Sequence, residues 1–186
     1  MLFKILVVSD THGSITSWKM IEQSFPSVDQ ILHLGDILYH GPRNPLPAGY
    51  NPAALADILK KRANISYVRG NCDADVDLLV LENNDMPKIM SLTIGRFKVL
   101  LMHGEDIHND DEILELLEKH DANVLAYGHS HIPRLELVKS KVILNPGSTS
   151  LPKMNHPPTC ALIEISESLK ISIYTVDGEL YKEMIL

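Results

Sequence analysis

The chain is poor in cysteine. It has two, Cys72 and Cys160, and they form no Cys-x-x-Cys pair. That argues against a disulfide framework and makes a reducing cytoplasm the expected setting. Positive charge is also short: 17 Lys and Arg stand against 24 Asp and Glu, a net charge of -7. An acidic chain is a poor non-specific binder of nucleic acid or anionic membranes, so neither a stable nucleic-acid complex nor a membrane is expected as a partner. A phosphate-bearing substrate would need local cations to offset that field. No apolar run approaches the roughly 18 residues of a membrane helix. The opening stretch, Met1 to Val8, is too short and too soon interrupted for a signal peptide. There is no internal repeat and no low-complexity tail. What remains is 186 residues, 45% hydrophobic and 22% charged. That suits one domain, residues 1–186, burying about 70% of the surface of its unfolded chain.

Histidine, by contrast, is plentiful, at nine residues. Gly128-His129-Ser130-His131 follows the apolar run Val124–Tyr127, which reads as a short buried strand. Side chains two apart on an extended backbone point to one side, so the pair could begin a metal site. Alone it is a weak motif. The start of the chain repeats the device. Residues 2–8 read as a strand running into Asp10-Thr11-His12-Gly13, and Ser14 caps a helix of about a dozen residues with Ile15, Trp18, Ile21 and Phe25 on its apolar face. A second strand, residues 30–34, ends at Gly35-Asp36, and His33 within it packs or hydrogen-bonds. A third, residues 65–68, ends in Arg69-Gly70-Asn71-Cys72-Asp73. Strand, helix, strand in this order predicts βαβ units with their strand ends at one edge of a parallel sheet, where ligands bind.

Between the second and third strands lies a stiff loop, residues 38–52, with four prolines and Arg43 as its cation. Loops of that length are lids, interface segments or connectors. Asn51-Pro52 then opens a helix to about Arg62. Residues 74–88 carry only weak patterning. Ile89–Ile94 and Phe97–Leu101 form a hairpin around Gly95-Arg96, and its second arm leads to His103-Gly104. Asn109 caps a helix whose buried face is Ile113, Leu114, Leu116 and Leu117. Beyond His131 the pattern turns all-β: residues 134–138, 142–144, 160–165, 171–176 and 180–185 are expected to complete a second sheet. In the turn Asn145-Pro146-Gly147-Ser148, the Ser148 hydroxyl could face a substrate. His156 reads as surface.

Five strand ends thus deliver Asp10, His12, Asp36, Asn71, His103, His129 and His131 to one edge. Seven ligands exceed one tetrahedral zinc. They suit two ions roughly 3.5–4 Å apart, with an aspartate bridging. Nitrogen and oxygen ligands without thiolate fit manganese, iron or zinc. No Ser-His-Asp arrangement competes. A metal-dependent amidohydrolase would need a (β/α)₈ barrel of ~250 residues, longer than this chain.

The series Asp10-Thr11-His12, Gly35-Asp36, Gly70-Asn71, His103 and Gly128-His129-Ser130-His131 resembles the calcineurin-like metallophosphoesterases. His40-Gly41-Pro42-Arg43-Asn44, Arg69 to Asp73 and Asn145 to Ser148 resemble the small bacterial phosphodiesterases of that family. The resemblance implies a four-layer αββα sandwich of two mixed sheets flanked by helices. It implies one ion on Asp10, His12, Asp36 and His131, and another on Asp36, Asn71, His103 and His129. Mn²⁺ is the first expectation for both, with Zn²⁺, Fe²⁺ or Ni²⁺ as alternatives. The implied reaction is hydrolysis of a small phosphodiester by metal-activated hydroxide, with Asp36, Asn71 and His129 catalytic and Arg43 and Cys72 at the substrate. Many members carry histidine, thought to protonate the leaving group, where this chain has Cys72; a thiol is a poorer match to that task. Two alternatives stay open: a protein-binding scaffold of the same fold, and assembly into a homodimer or homotetramer.

Overall fold

The computed structural model describes residues 2–83 and 85–186. Strand β1 (Phe3–Val8) shows how the layers arise. Ile5 and Val7 point into a core between two sheets, while Leu6 and Val8 face helices on the other side. Period-two alternation of wholly apolar residues makes a strand covered on both faces. Helix α1 (Ile15–Ser24) packs Trp18 and Ile21 against that outer face, and the Ser14 hydroxyl caps it by accepting from the Ser17 amide at 3.2 Å. Strand β2 (Gln30–His33) runs parallel to β1. Helix α2 (Pro52–Leu59) starts as expected, with the Asn51 side chain accepting from the Ala54 amide at 3.0 Å and proline in the first turn. Strand β3 (Ile65–Tyr67) is parallel to β2.

The weakly patterned stretch holds a further helix, α3 (Asp75–Val80). It is six residues long and leaves Val76 and Leu79 exposed, so it displays no apolar stripe to read. A carboxylate starts it: Asp77 accepts from the Ala74 amide at 2.8 Å. The hairpin of β4 (Ile89–Ile94) and β5 (Phe97–Met102) falls where predicted. Helix α4 (Asp110–Lys119) follows its Asn109 cap, burying Ile113 and Leu117, and leads into β6 (Val124–Tyr127).

The C-terminal strands are divided between the two sheets, which corrects the expectation of a separate second sheet. β7 (Arg134–Val138) and β8 (Lys141–Asn145) join the hairpin and β6 in a five-stranded sheet, ordered β4-β5-β6-β8-β7. β9 (Thr159–Ile165), β10 (Leu169–Thr175) and β11 (Leu180–Ile185) return to the first sheet, ordered β11-β10-β9-β1-β2-β3. β9 lies antiparallel to β1, with Ile5 opposite Ile163. The reason is burial: Cys160, Ala161, Leu162 and Ile163 are apolar and buried on both faces, so β9 needs strand partners on both sides and a layer above and below.

The four-layer αββα sandwich is therefore the observed fold. Helices α1 and α2 cover the six-stranded sheet, α4 covers the five-stranded sheet, and the two sheets share one core. β1, β2 and β3 in one sheet and β5 and β6 in the other end at a common rim. Among the described residues no helix is long and apolar enough to cross a membrane.

Candidate metal centre

The turns at that rim are made by residues that the backbone does not favour there. Asp10, His12, Asp36, His129 and His131 all have positive φ, between 45° and 62°. For a side chain larger than glycine this costs on the order of 1 kcal/mol or more each, so neighbours must hold it. They do. The Asp10 amide donates to the Gly35 carbonyl at 3.1 Å and the His12 amide to the Asp36 carbonyl at 3.0 Å. The Ser148 and Ser150 hydroxyls donate to the Asp10 carbonyl at 2.8 and 3.0 Å. Ser148 is thus fully buried behind Asp10 and does not face a substrate. Two glycines permit the approach: a Cβ on Gly70 would stand 2.2 Å from Asp36 Oδ1, and one on Gly128 1.9 Å from Ser9 Oγ.

The histidines are oriented by main-chain carbonyls. Nδ1 of His12 meets the Tyr39 carbonyl at 2.8 Å, Nδ1 of His103 the Leu34 carbonyl at 2.7 Å, and Nδ1 of His131 the Leu151 carbonyl at 2.5 Å. A carbonyl only accepts, so each Nδ1 carries a proton and each Nε2 is turned inward. Nε2 of His12 and Nε2 of His131 lie 3.3 Å apart. With both ring protons committed, two lone pairs face each other across that gap, an arrangement that a cation relieves. Asp10 Oδ1 is buried without a hydrogen-bond partner, 3.2 Å from His131 Nε2 and 3.7 Å from His12 Nε2. Orphaned buried acceptors converging on one point fit a metal ion.

A second group adjoins the first. Asp36 turns Oδ1 to His103 Nε2 at 3.4 Å and Oδ2 to His12 Nε2 at 3.8 Å, one oxygen toward each group. Asn71 Oδ1 lies 3.2 Å from His103 Nε2 and 2.9 Å from His129 Nδ1. All seven residues singled out in the sequence therefore meet. Donor atoms of Asp10, His12 and His131 lie within 4.8 Å of one another, as do those of Asp10, Asp36 and His103. So do those of His12, Asp36 and Cys72, which puts the thiol beside the centre as well.

The electrostatics favour positive charge here. Burial resists ionisation of Asp10, yet the adjoining His131 and the fields of His103 and His12 hold its carboxyl well below the usual range. Burial also resists charging of His103, but the Asp36 hydrogen bond and the Asp10 and Asp36 charges push it up to about 10. Burial pulls His12 and His129 down, leaving neutral imidazoles, the form that ligates metal. His33 behaves as expected of a strand residue. The Thr11 hydroxyl donates to the Ile37 carbonyl, so His33 Nε2 donates to Thr11 Oγ1 at 2.9 Å, and His33 Nδ1 accepts from the Gly35 amide.

A cavity of about 370 Å³ opens at the centre, lined by buried Asp36 and His131, half-buried His129 and exposed Asn71, with Arg43, Asn44, Cys72 and Lys153 around them. The proline-rich loop is therefore one wall. The Cys72 thiol is pushed up to about 12, first by burial and then by the Asp36 charge. Two residues at the site escaped the sequence reading. The Asp73 carboxylate accepts the Asp36, Ile37 and Gly70 amides, each at 2.8 Å, clamping the turns that carry Asp36 and Asn71. Burial pushes it up to about 6 despite those three amides. Only its place two residues after Asn71 hinted at a role. Lys153, in a loop after β8, carried no signal at all.

Comparison with known proteins shows the family and the fold. A model of the calcineurin-like phosphoesterase superfamily domain matches residues 3–168. Phosphodiesterase YfcE of Escherichia coli K12 is 34% identical over 166 residues, 88% of each chain. The solved structure of the E. coli YfcE phosphoesterase superposes with a TM-score of 0.83 at 28% identity, covering 98% of both chains. Vps29 of Entamoeba histolytica, solved with Zn²⁺, superposes with a TM-score of 0.70 at 25% identity, covering 100% of this chain and 98% of that one.

Proposed function

The chain belongs to the calcineurin-like phosphoesterase superfamily, and from that premise we propose that it is a phosphoric diester hydrolase dependent on two divalent ions. Asp10, His12, Asp36 and His131 would hold one ion, and Asp36, Asn71, His103 and His129 the other, with Asp36 shared. The observation that carries this reading is the pair of facing Nε2 atoms beside the unpartnered Asp10 Oδ1. The donors are imidazole, carboxylate and carboxamide, a set that suits Mn²⁺ first, and Zn²⁺, Fe²⁺ or Ni²⁺ by the same chemistry. When bound, such ions supply a hydroxide near neutral pH and neutralise charge on the phosphoryl oxygens.

The chain's own residues do the rest. Carbonyl bonds to His12, His103 and His131 fix the imidazoles before a substrate arrives. Asn71 and His129, in the cavity lining, orient the phosphoryl group, and Arg43 stands in the wall beside the substrate. Cys72 faces the same space with its thiol protonated, and a thiol pushed up to about 12 is a weak proton donor. Diesters with good leaving groups are therefore the better substrates. A small phosphodiester in a cytoplasmic setting fits the cavity and the free thiols.

The test is direct. After manganese loading and desalting, elemental analysis is expected to give close to two ions per chain, and nitrophenyl diesterase activity is expected to vanish with chelator and return with Mn²⁺. A ratio near one or zero would overturn the two-ion reading.

A further inference from the structure

The hydrolase reading leaves two cations at the cavity mouth whose charge the reaction centre does not need. Arg43 and Lys153 line the same cavity as Asp36, Asn71 and His129, and Asp36 is the one carboxylate in that lining. Among the described residues neither cation has an ion-pair partner.

Both are carried by segments tied to the centre. The Tyr39 carbonyl that orients His12 begins the segment bearing Arg43. That segment is seated against the thiol, since a Cβ on Gly41 would lie 3.0 Å from Cys72 Sγ. On the other side, the Leu151 carbonyl orients His131, and the Lys153 amide donates to the His131 carbonyl at 3.3 Å.

Charge decides what these cations are for. Two divalent ions carry four positive charges, and the two carboxylates among their proposed ligands, Asp10 and Asp36, cancel two, while the Asp73 carboxylate behind them is met by three backbone amides. A phosphodiester carries a single negative charge, and one hydroxide completes the balance. Arg43 and Lys153 are then surplus, in a chain whose net charge is -7. Among the described residues no Phe, Tyr or Trp side chain, on which a nucleobase could stack, lines the cavity.

We propose that the substrate is a phosphodiester bearing a second phosphate on a short arm, which Arg43 and Lys153 receive together at the cavity mouth. The inference rests on the hydrolase reading above and names the substrate class of that site. Arginine's fork and lysine's point charge converging on one phosphate make charge-assisted hydrogen bonds.

Two nitrophenyl alkyl diesters test it, identical except that the alkyl arm ends in phosphate in one and hydroxyl in the other. The manganese-loaded protein is expected to prefer the phosphate-ended ester by about tenfold or more in kcat/KM at low salt, a preference that shrinks as salt rises. Arg43→Ala and Lys153→Ala should each lower that ratio, with metal content and melting temperature unchanged. A ratio near one in the native protein, or a ratio kept by both variants, overturns the inference while the hydrolase reading stands. If neither ester is cleaved, the hydrolase reading falls. Calorimetry with the non-cleavable methylene phosphonate counterparts then decides separately: tighter binding of the phosphate-ended compound, lost in both variants, supports the two-cation site, and equal binding removes it.

Discussion

At the scale of single residues, Asp36 and Cys72 carry the sharpest consequences. Among the described residues Asp36 is the side chain whose two oxygens face different histidine groups. Asp36→Asn keeps the shape but removes the charge that would be shared. It is expected to lower kcat by more than Asn71→Ala, on the order of 10²-fold or more, and to lower bound metal with it. Turnover close to normal at full metal content would show that Asp36 does not bridge. Cys72 tests proton supply. If a weak donor limits turnover, Cys72→His should speed cleavage of alkyl esters, by up to about 10²-fold, and leave nitrophenyl diesters nearly unchanged, because a good leaving group needs no proton. Measuring one matched pair that differs only in leaving-group pKa separates this from a packing effect, which would slow both equally.

At the scale of elements, the centre depends on turns that belong to different strands. Asp73 holds the turn after β2 to the turn after β3 through three amides. Asp73→Asn retains the volume but replaces an acceptor oxygen with a donor facing an N–H. We expect stability to fall by about 1–3 kcal/mol and metal affinity to fall about 10- to 100-fold, read by melting curves and metal titration together. Unchanged metal affinity beside lost stability would mean that Asp73 only packs the turn. The elements also show what was readable. The seven candidate ligands were visible because each sits at the end of an apolar run beside a turn residue, a local pattern. Asp73 and Lys153 were not, since their partners lie far away in sequence: Asp73 meets Asp36 37 residues away. Helix α3 escaped because its exposed Val76 and Leu79 break the periodicity that reveals a helix.

At the scale of the whole molecule, pH links the buried histidines to stability. Burial pushes His33 down to about 3, whereas in the unfolded chain it titrates near its ordinary value of about 6.5. Between those values the unfolded chain holds a proton that the native chain lacks. Stability therefore rises with pH across this window and falls by about 1.4 kcal/mol for each unit of acidification below about 6.5. His33→Gln retains a donor for Thr11 and does not titrate. In chelator, the dependence of unfolding free energy on pH between about 4.5 and 6.5 should become shallower by one proton. An unchanged slope would assign the acid sensitivity to other groups.

Local chemistry alone determined which residues would come to the rim. Alternating apolar residues made the strands, glycines allowed the sharp exits, and acids, amides and imidazoles stood at the ends. Tertiary structure decided what those groups would become. The strand order could not be read locally, because β9 is central only by pairing with β1 across the whole chain. Nor could the proton positions. His12, His131 and His103 each present Nε2 because a carbonyl 27, 20 and 69 residues away takes the proton on Nδ1. An imidazole in isolation has no preference strong enough to choose its inward nitrogen. The folded backbone makes that choice, and with it the difference between histidines near one another and a site shaped for ions.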